Sequence, residues 1–234
     1  LIFSRIDNVN INFSVCPSHF LYSEQVYYHQ YSGNTSLSDN PHGIAELILK
    51  CHQKLNRKVL VLFTSYNSLN KVTHCLSTLK GGRDLPVFSQ IQSASRYGLL
   101  KSMANSKNGI LMGTSSFWEG IDLPGKNVET LWIIKIPFSN PKEPLFISQS
   151  EKYKLKGKNS FMDYSLPDAT IKFKQGFGRL IRNLSDYGVC ILSDPRLANK
   201  KYGKVILDSL PINSILYSDI NDVILKTSNF LEEF

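Results

Sequence analysis

Five short apolar runs, separated by stretches of helical periodicity, constrain the fold of this chain more than any other feature. The clearest runs from Lys58 to Thr64, Lys-Val-Leu-Val-Leu-Phe-Thr. A continuous β-rich run with no polar alternation fits a strand buried on both faces, as in a parallel sheet. Residues 109–113, 129–136 and 188–193 read as further strands of this kind, and 85–89 as a short strand. Between them, Ile44, Leu47, Ile48 and Leu55 mark a helix over 41–56. Leu69, Val72, Leu76 and Leu79 mark a second over 65–79, and 93–106 reads as a third. Strands alternating with helices imply crossover connections and one α/β, doubly wound, mainly parallel sheet flanked by helices. Residues 1–40 read as irregular, with a turn at 17–25. Residues 137–145, with three prolines, read as an extended loop leading to a helical segment that carries Lys152, Lys154, Lys156 and Lys158.

A chain of 234 residues has room for one large core. Its 27 Lys and Arg against 19 Asp and Glu give a net charge of +8, which favours a polyanionic partner. No run reaches the roughly 18 apolar residues of a membrane span, so no membrane partner is expected. The N-terminus, Leu1-Ile2-Phe3-Ser4-Arg5, has no signal-peptide pattern and no initiating Met, so the sequence reads as a fragment of a longer chain. Cys16, Cys51, Cys75 and Cys190 have no C-x-x-C spacing, and the five histidines have no ligand spacing. No metal site is expected. Scattered free thiols fit a reducing, cytoplasmic setting, with Cys190 buried in its apolar run.

The stretch 167–186 carries the densest chemistry. As one helix, it puts Lys172, Gln175, Arg179 and Arg182 on one face and Phe173, Phe177, Leu180 and Leu184 on the other. Pro167 and Asp168 suit its first turn. Gly176 and Gly178 cost roughly 1 kcal/mol each inside a helix, which implies a close approach to the backbone there. Arginine forks suit phosphoryl oxygens; the alternative is an amphipathic helix with a solvated basic face.

Gln175, Gly178, Arg179 and Arg182 spell Q-x-x-G-R-x-x-R, which resembles motif VI of superfamily 2 helicases in its DinG/XPD-like branch. Gly113-Thr-Ser-Ser-Phe-Trp-Glu-Gly-Ile-Asp122 resembles that family's motif V, and Leu62-Phe-Thr-Ser-Tyr66 its motif IV. The three motifs stand in the family's order, and the resemblance covers roughly residues 20–210. It implies that residues 1–234 are a RecA-like second motor domain of an ATP-dependent DNA helicase moving on single-stranded DNA. Arg179 and Arg182 would reach the γ-phosphate of ATP. Gln175, Gly178, Glu119, Gly120 and Asp122 would serve the nucleotide side. Thr64, Ser65, Tyr66, Thr114, Ser115 and Ser116 would contact the DNA backbone. Structural alternatives stand beside these: Ser65 as a helix N-cap, and Phe117 and Trp118 as core residues. Gln90 matches a family glutamine. Asp194 and Arg196 match the family's Asp-x-Arg, expected as an ion pair bracing motif VI.

No G-x-x-x-x-G-K-[ST] loop and no Asp-Glu-x-His appear. The resemblance therefore gives ATP and Mg²⁺ mainly to an N-terminal RecA-like domain of the same protein. Any iron–sulfur cluster would also lie upstream. The chain alone would be half of a catalytic site. The competing reading is a non-catalytic module that docks nucleic acid or protein.

Overall fold

The computed structural model describes residues 18–32, 37–91, 95–118 and 128–233. Its seven strands are β1 (Val26–Tyr31), β2 (Val59–Leu62), β3 (Val87–Ser89), β4 (Ile110–Gly113), β5 (Thr130–Ile133), β6 (Gly188–Leu192) and β7 (Ile215–Tyr217). They form one sheet in the order β3-β4-β2-β5-β6-β1-β7, and every pairing is parallel. The helices are α1 (Tyr22–Gln25), α2 (Pro41–Leu55), α3 (Tyr66–Thr78), α4 (Arg96–Asn105), α5 (Ser115–Trp118), α6 (Pro144–Leu155), α7 (Leu166–Phe177), α8 (Arg196–Asn199), α9 (Lys201–Leu207) and α10 (Ile220–Glu232).

The sheet is covered on both faces. Along β2, Val59 and Val61 belong to the apolar cluster with Ile44, Ile48, Leu69, Val72 and Val223 from α2, α3 and α10. Leu60 and Leu62 belong to the other, with Leu99, Phe117, Phe173 and Ile206 from α4, α5, α7 and α9. This alternation on a fully buried strand is the period of two that a pleated strand imposes. Helix ends follow local chemistry. Asn40, Ser65 and Ser95 cap α2, α3 and α4 by accepting from the N–H three residues on, and Asn56 ends α2 in the left-handed region.

Two strands lie where no strand was expected. β1 sits between β6 and β7 inside the region read as irregular, because Tyr-Tyr-His-Gln disguises a buried strand. Its polar side chains are accommodated singly. His29 is fully buried, with Nε2 3.5 Å from Thr227 Oγ1, and Gln30 Oε1 accepts from Ser214 Oγ. β7 is short and lies at the sheet edge, where Ile215 and Leu216 are exposed.

Register places the site. Leu62 is level with Gly113 on one side and Ile133 on the other, and Ile133 is level with Leu192. Four central strands thus end on one line. The residues that follow them emerge at a single rim, where ligands of open α/β sheets gather.

Candidate nucleotide and nucleic-acid site

At this rim the exits of β2 and β4 line a cleft of about 460 Å³. Phe63, Thr64, Ser65, Tyr66, Thr114 and Trp118 form one wall; Pro137, Phe138, Ser139 and Asn140 from the β5 exit form the other. Thr64, Ser65 and Tyr66 are exposed. Ser65 Oγ accepts from Ser68 N at 3.2 Å, so the N-cap role expected as an alternative is real and coexists with its place on the cleft. Thr114 is only 2% exposed, and its hydroxyl points inward to Gln90. Ser115 opens α5, and Ser116 follows it on the same turn.

Gln90, just beyond β3, is the hub of this rim. Its Oε1 accepts from Thr114 N at 2.8 Å and Thr114 Oγ1 at 2.9 Å. Its Nε2 donates to Tyr66 Oη at 2.7 Å and Ser116 Oγ at 2.8 Å. One side chain therefore ties the β2, β3 and β4 exits together. The signal was in the sequence: Gln90 follows a predicted strand, as Thr114 does.

Phe117 and Trp118 are core residues, as the structural alternative held. Trp118 also links three elements. Its Nε1 donates to Phe63 O at 2.9 Å, and its carbonyl accepts from Arg179 Nη2 at 3.1 Å. Its ring lies on Gly176, where an added Cβ would sit 2.7 Å from Trp118 Cε3. This is the close approach that a glycine inside α7 implied. Gly178 has no such neighbour; a Cβ there meets Lys174 O at an ordinary 3.4 Å.

The helix expected over 167–186 stops at Phe177, and Gly178–Leu180 form a turn. Arg179 and Arg182 project from this turn and the segment after it rather than from a shared helical face. Side-chain partners hold the segment beyond this turn. Asp186 Oδ2 accepts from Arg182 N at 2.8 Å and Asn183 N at 2.9 Å. Gln25 Nε2 lies 3.0 Å from Leu184 O and 2.8 Å from Asp186 O. These bonds hold the backbone away from helical pairing. Leu184, expected on the buried stripe, is 67% exposed. Phe173, Phe177 and Leu180 keep their buried places. Gln175 is exposed, and Lys172 is held by Asp168 and Ser139 at 2.8 and 3.0 Å.

The Asp194–Arg196 ion pair forms, at 2.6 Å, but it braces a different segment from the one expected. Asp194 Oδ2 accepts from Ile136 N at 2.9 Å, and the Arg196 guanidinium sits 5.5 Å from the Phe138 ring centroid. The pair fixes the β5 exit, the far wall of the cleft. That bond to Asp194 raises the pKa of Arg196, so it stays charged. Glu119, Gly120 and Asp122 lie outside the described residues. Burial raises the thiol of Cys190, and that of Cys51 to about 12, so both are inert neutral side chains. Among the described residues no cluster of three His, Cys, Asp or Glu side chains could hold a metal, and no helix is long and apolar enough to cross a membrane.

An all-parallel doubly wound sheet, with a polar cleft and an arginine-bearing turn joined through Trp118 at one rim, defines a RecA-like domain. The family described as the helicase C-terminal domain matches residues 48–213. This chain belongs to that family, in its DinG/XPD-like branch. The ATP-dependent DNA helicase YoaA of Haemophilus influenzae is 34% identical over 227 residues, 96% of this chain and 35% of that protein. The 3'-5' exonuclease DinG of Bacillus subtilis is 40% identical over 159 residues, 68% of this chain and 17% of that protein. The chain thus spans 35% or less of the length of these relatives. A solved XPD helicase shares the fold at 22% identity, with a TM-score of 0.60 over 82% of this chain and 35% of that one.

Proposed function

We propose that this chain is the C-terminal motor half of an ATP-dependent DNA helicase that translocates on single-stranded DNA in the cytoplasm. Its partner is an N-terminal RecA-like domain of the same, longer protein. In this reading ATP sits between the two domains with Mg²⁺, and the other domain supplies the metal ligands and the β-phosphate loop. Arg179 and Arg182 meet the γ-phosphate, with Gln175, Gly178, Glu119, Gly120 and Asp122 on the nucleotide side. Thr64, Ser65, Tyr66 and 114–116 form part of the DNA track. One observation carries the reading: Trp118 bonds the motif IV strand exit through Nε1 and Arg179 through its carbonyl. A change of grip at the track and a change at the arginine turn are therefore mechanically linked. The named activity of YoaA supports the same reading.

Arginine meeting charge that develops in the transition state acts on turnover more than on binding. In the complete protein, Arg182→Ala should cut kcat by about 10³-fold or more, with a much smaller change in nucleotide affinity. ATPase measured against nucleotide and DNA concentration checks this, and a wild-type kcat removes the arginine assignment.

A further inference from the structure

Resting on the DNA-track reading above, we propose that Gln90 is a positioning residue that turns the Tyr66 and Ser116 hydroxyls into paired donors for one backbone phosphate. The orientation of its amide is fixed by the backbone. Thr114 N–H can only donate, so the Gln90 atom 2.8 Å from it is the carbonyl oxygen. The amino group then faces the other way, 2.7 Å from Tyr66 Oη and 2.8 Å from Ser116 Oγ. Both hydroxyls must accept from it, which directs their own protons elsewhere. No acceptor among the described residues takes either proton. Two N–H bonds diverging from one planar nitrogen put the two oxygens roughly 5 Å apart, a gap that a phosphate's non-bridging oxygens can span.

The same logic gives Thr114 an indirect part. Its N–H and its hydroxyl proton are both committed to Gln90 Oε1, and its side chain is buried. It holds Gln90, and Gln90 aims the donors. Tyr66 is 53% exposed at the cleft, so an extended polyanion can reach it. An oxyanion suits this subsite, because both O–H protons are left to donate to it.

The test is a double-mutant cycle on the 234-residue chain, titrating a labelled single-stranded DNA oligonucleotide at low salt. Gln90→Glu keeps both bonds from Thr114, since a carboxylate accepts them, but it cannot donate. Tyr66 and Ser116 would then donate to it and withdraw from the phosphate. Tyr66→Phe should weaken wild-type binding by about tenfold, as losing a hydrogen bond to a charged group does. In the Gln90→Glu background the same change should cost less than about twofold. A Tyr66→Phe loss of equal size in both backgrounds overturns the proposal and leaves the DNA track standing, because charge repulsion or a purely structural role for Gln90 predicts additivity. Absence of any binding by the wild-type chain removes the track reading itself, and the Gln90 assignment with it.

Discussion

His29 shows how one residue can tie the fold to pH. It lies on β1 with no exposed surface, beside Tyr27, Tyr217 and Thr227. Burial first, then the nearby Lys226 charge, lowers its pKa from 6.5 to about 4, while Asp222 opposes the shift. The folded state therefore binds this proton less readily than the unfolded chain does. Between the two values the unfolded chain holds more protons, so stability rises with pH over that window and is lost as pH falls through it. From this group alone the protein should be about 2 kcal/mol less stable at about pH 5 than at pH 7. Urea unfolding at both values, for wild type and His29→Gln, checks it. The variant should show a flatter dependence, and identical slopes would assign the effect elsewhere.

At the scale of elements, the decisive feature is where α7 stops. Asp186 Oδ2 collects the N–H groups of Arg182 and Asn183, and Gln25 reaches across from α1 to the carbonyls of Leu184 and Asp186. Asp186→Ala leaves two backbone donors without that acceptor. We expect a loss of about 1–3 kcal/mol, or roughly 3–10 °C in Tm, by thermal unfolding. In the complete protein it should also lower kcat, since Arg182 shares the released backbone. An unchanged Tm would mean that the turn is held by other contacts. This element also marks what the sequence could reveal. The central strands β2, β4, β5 and β6 were legible because continuous apolar runs admit few alternatives, and Ser65 and Trp118 fell where their chemistry put them. β1 was hidden because His29 and Gln30 look like loop residues until Thr227 and Ser214 are placed beside them. The end of α7 was hidden for a related reason. Periodicity continues through Leu184, but the acceptor that holds the segment beyond the turn comes from Asp186, and the clamp from Gln25 is distant in sequence. Gln90 was legible only as a position after a strand; its four bonds appear once the sheet sets three strand exits side by side.

For the whole molecule, the central claim is that this domain is one half of a two-domain nucleotide site. Hydrolysis needs a phosphate-binding loop and metal ligands, and the sequence has no G-x-x-x-x-G-K-[ST] stretch to make the first. What it brings is an arginine turn linked through Trp118 to a polar cleft. The most direct measurement is ATP hydrolysis by the repurified 234-residue chain, with Mg²⁺ and with or without single-stranded DNA, beside the complete protein. The expected result is no turnover above background from the chain alone and DNA-stimulated turnover from the complete protein. Robust DNA-stimulated hydrolysis by the chain, persisting through repurification, would contradict it.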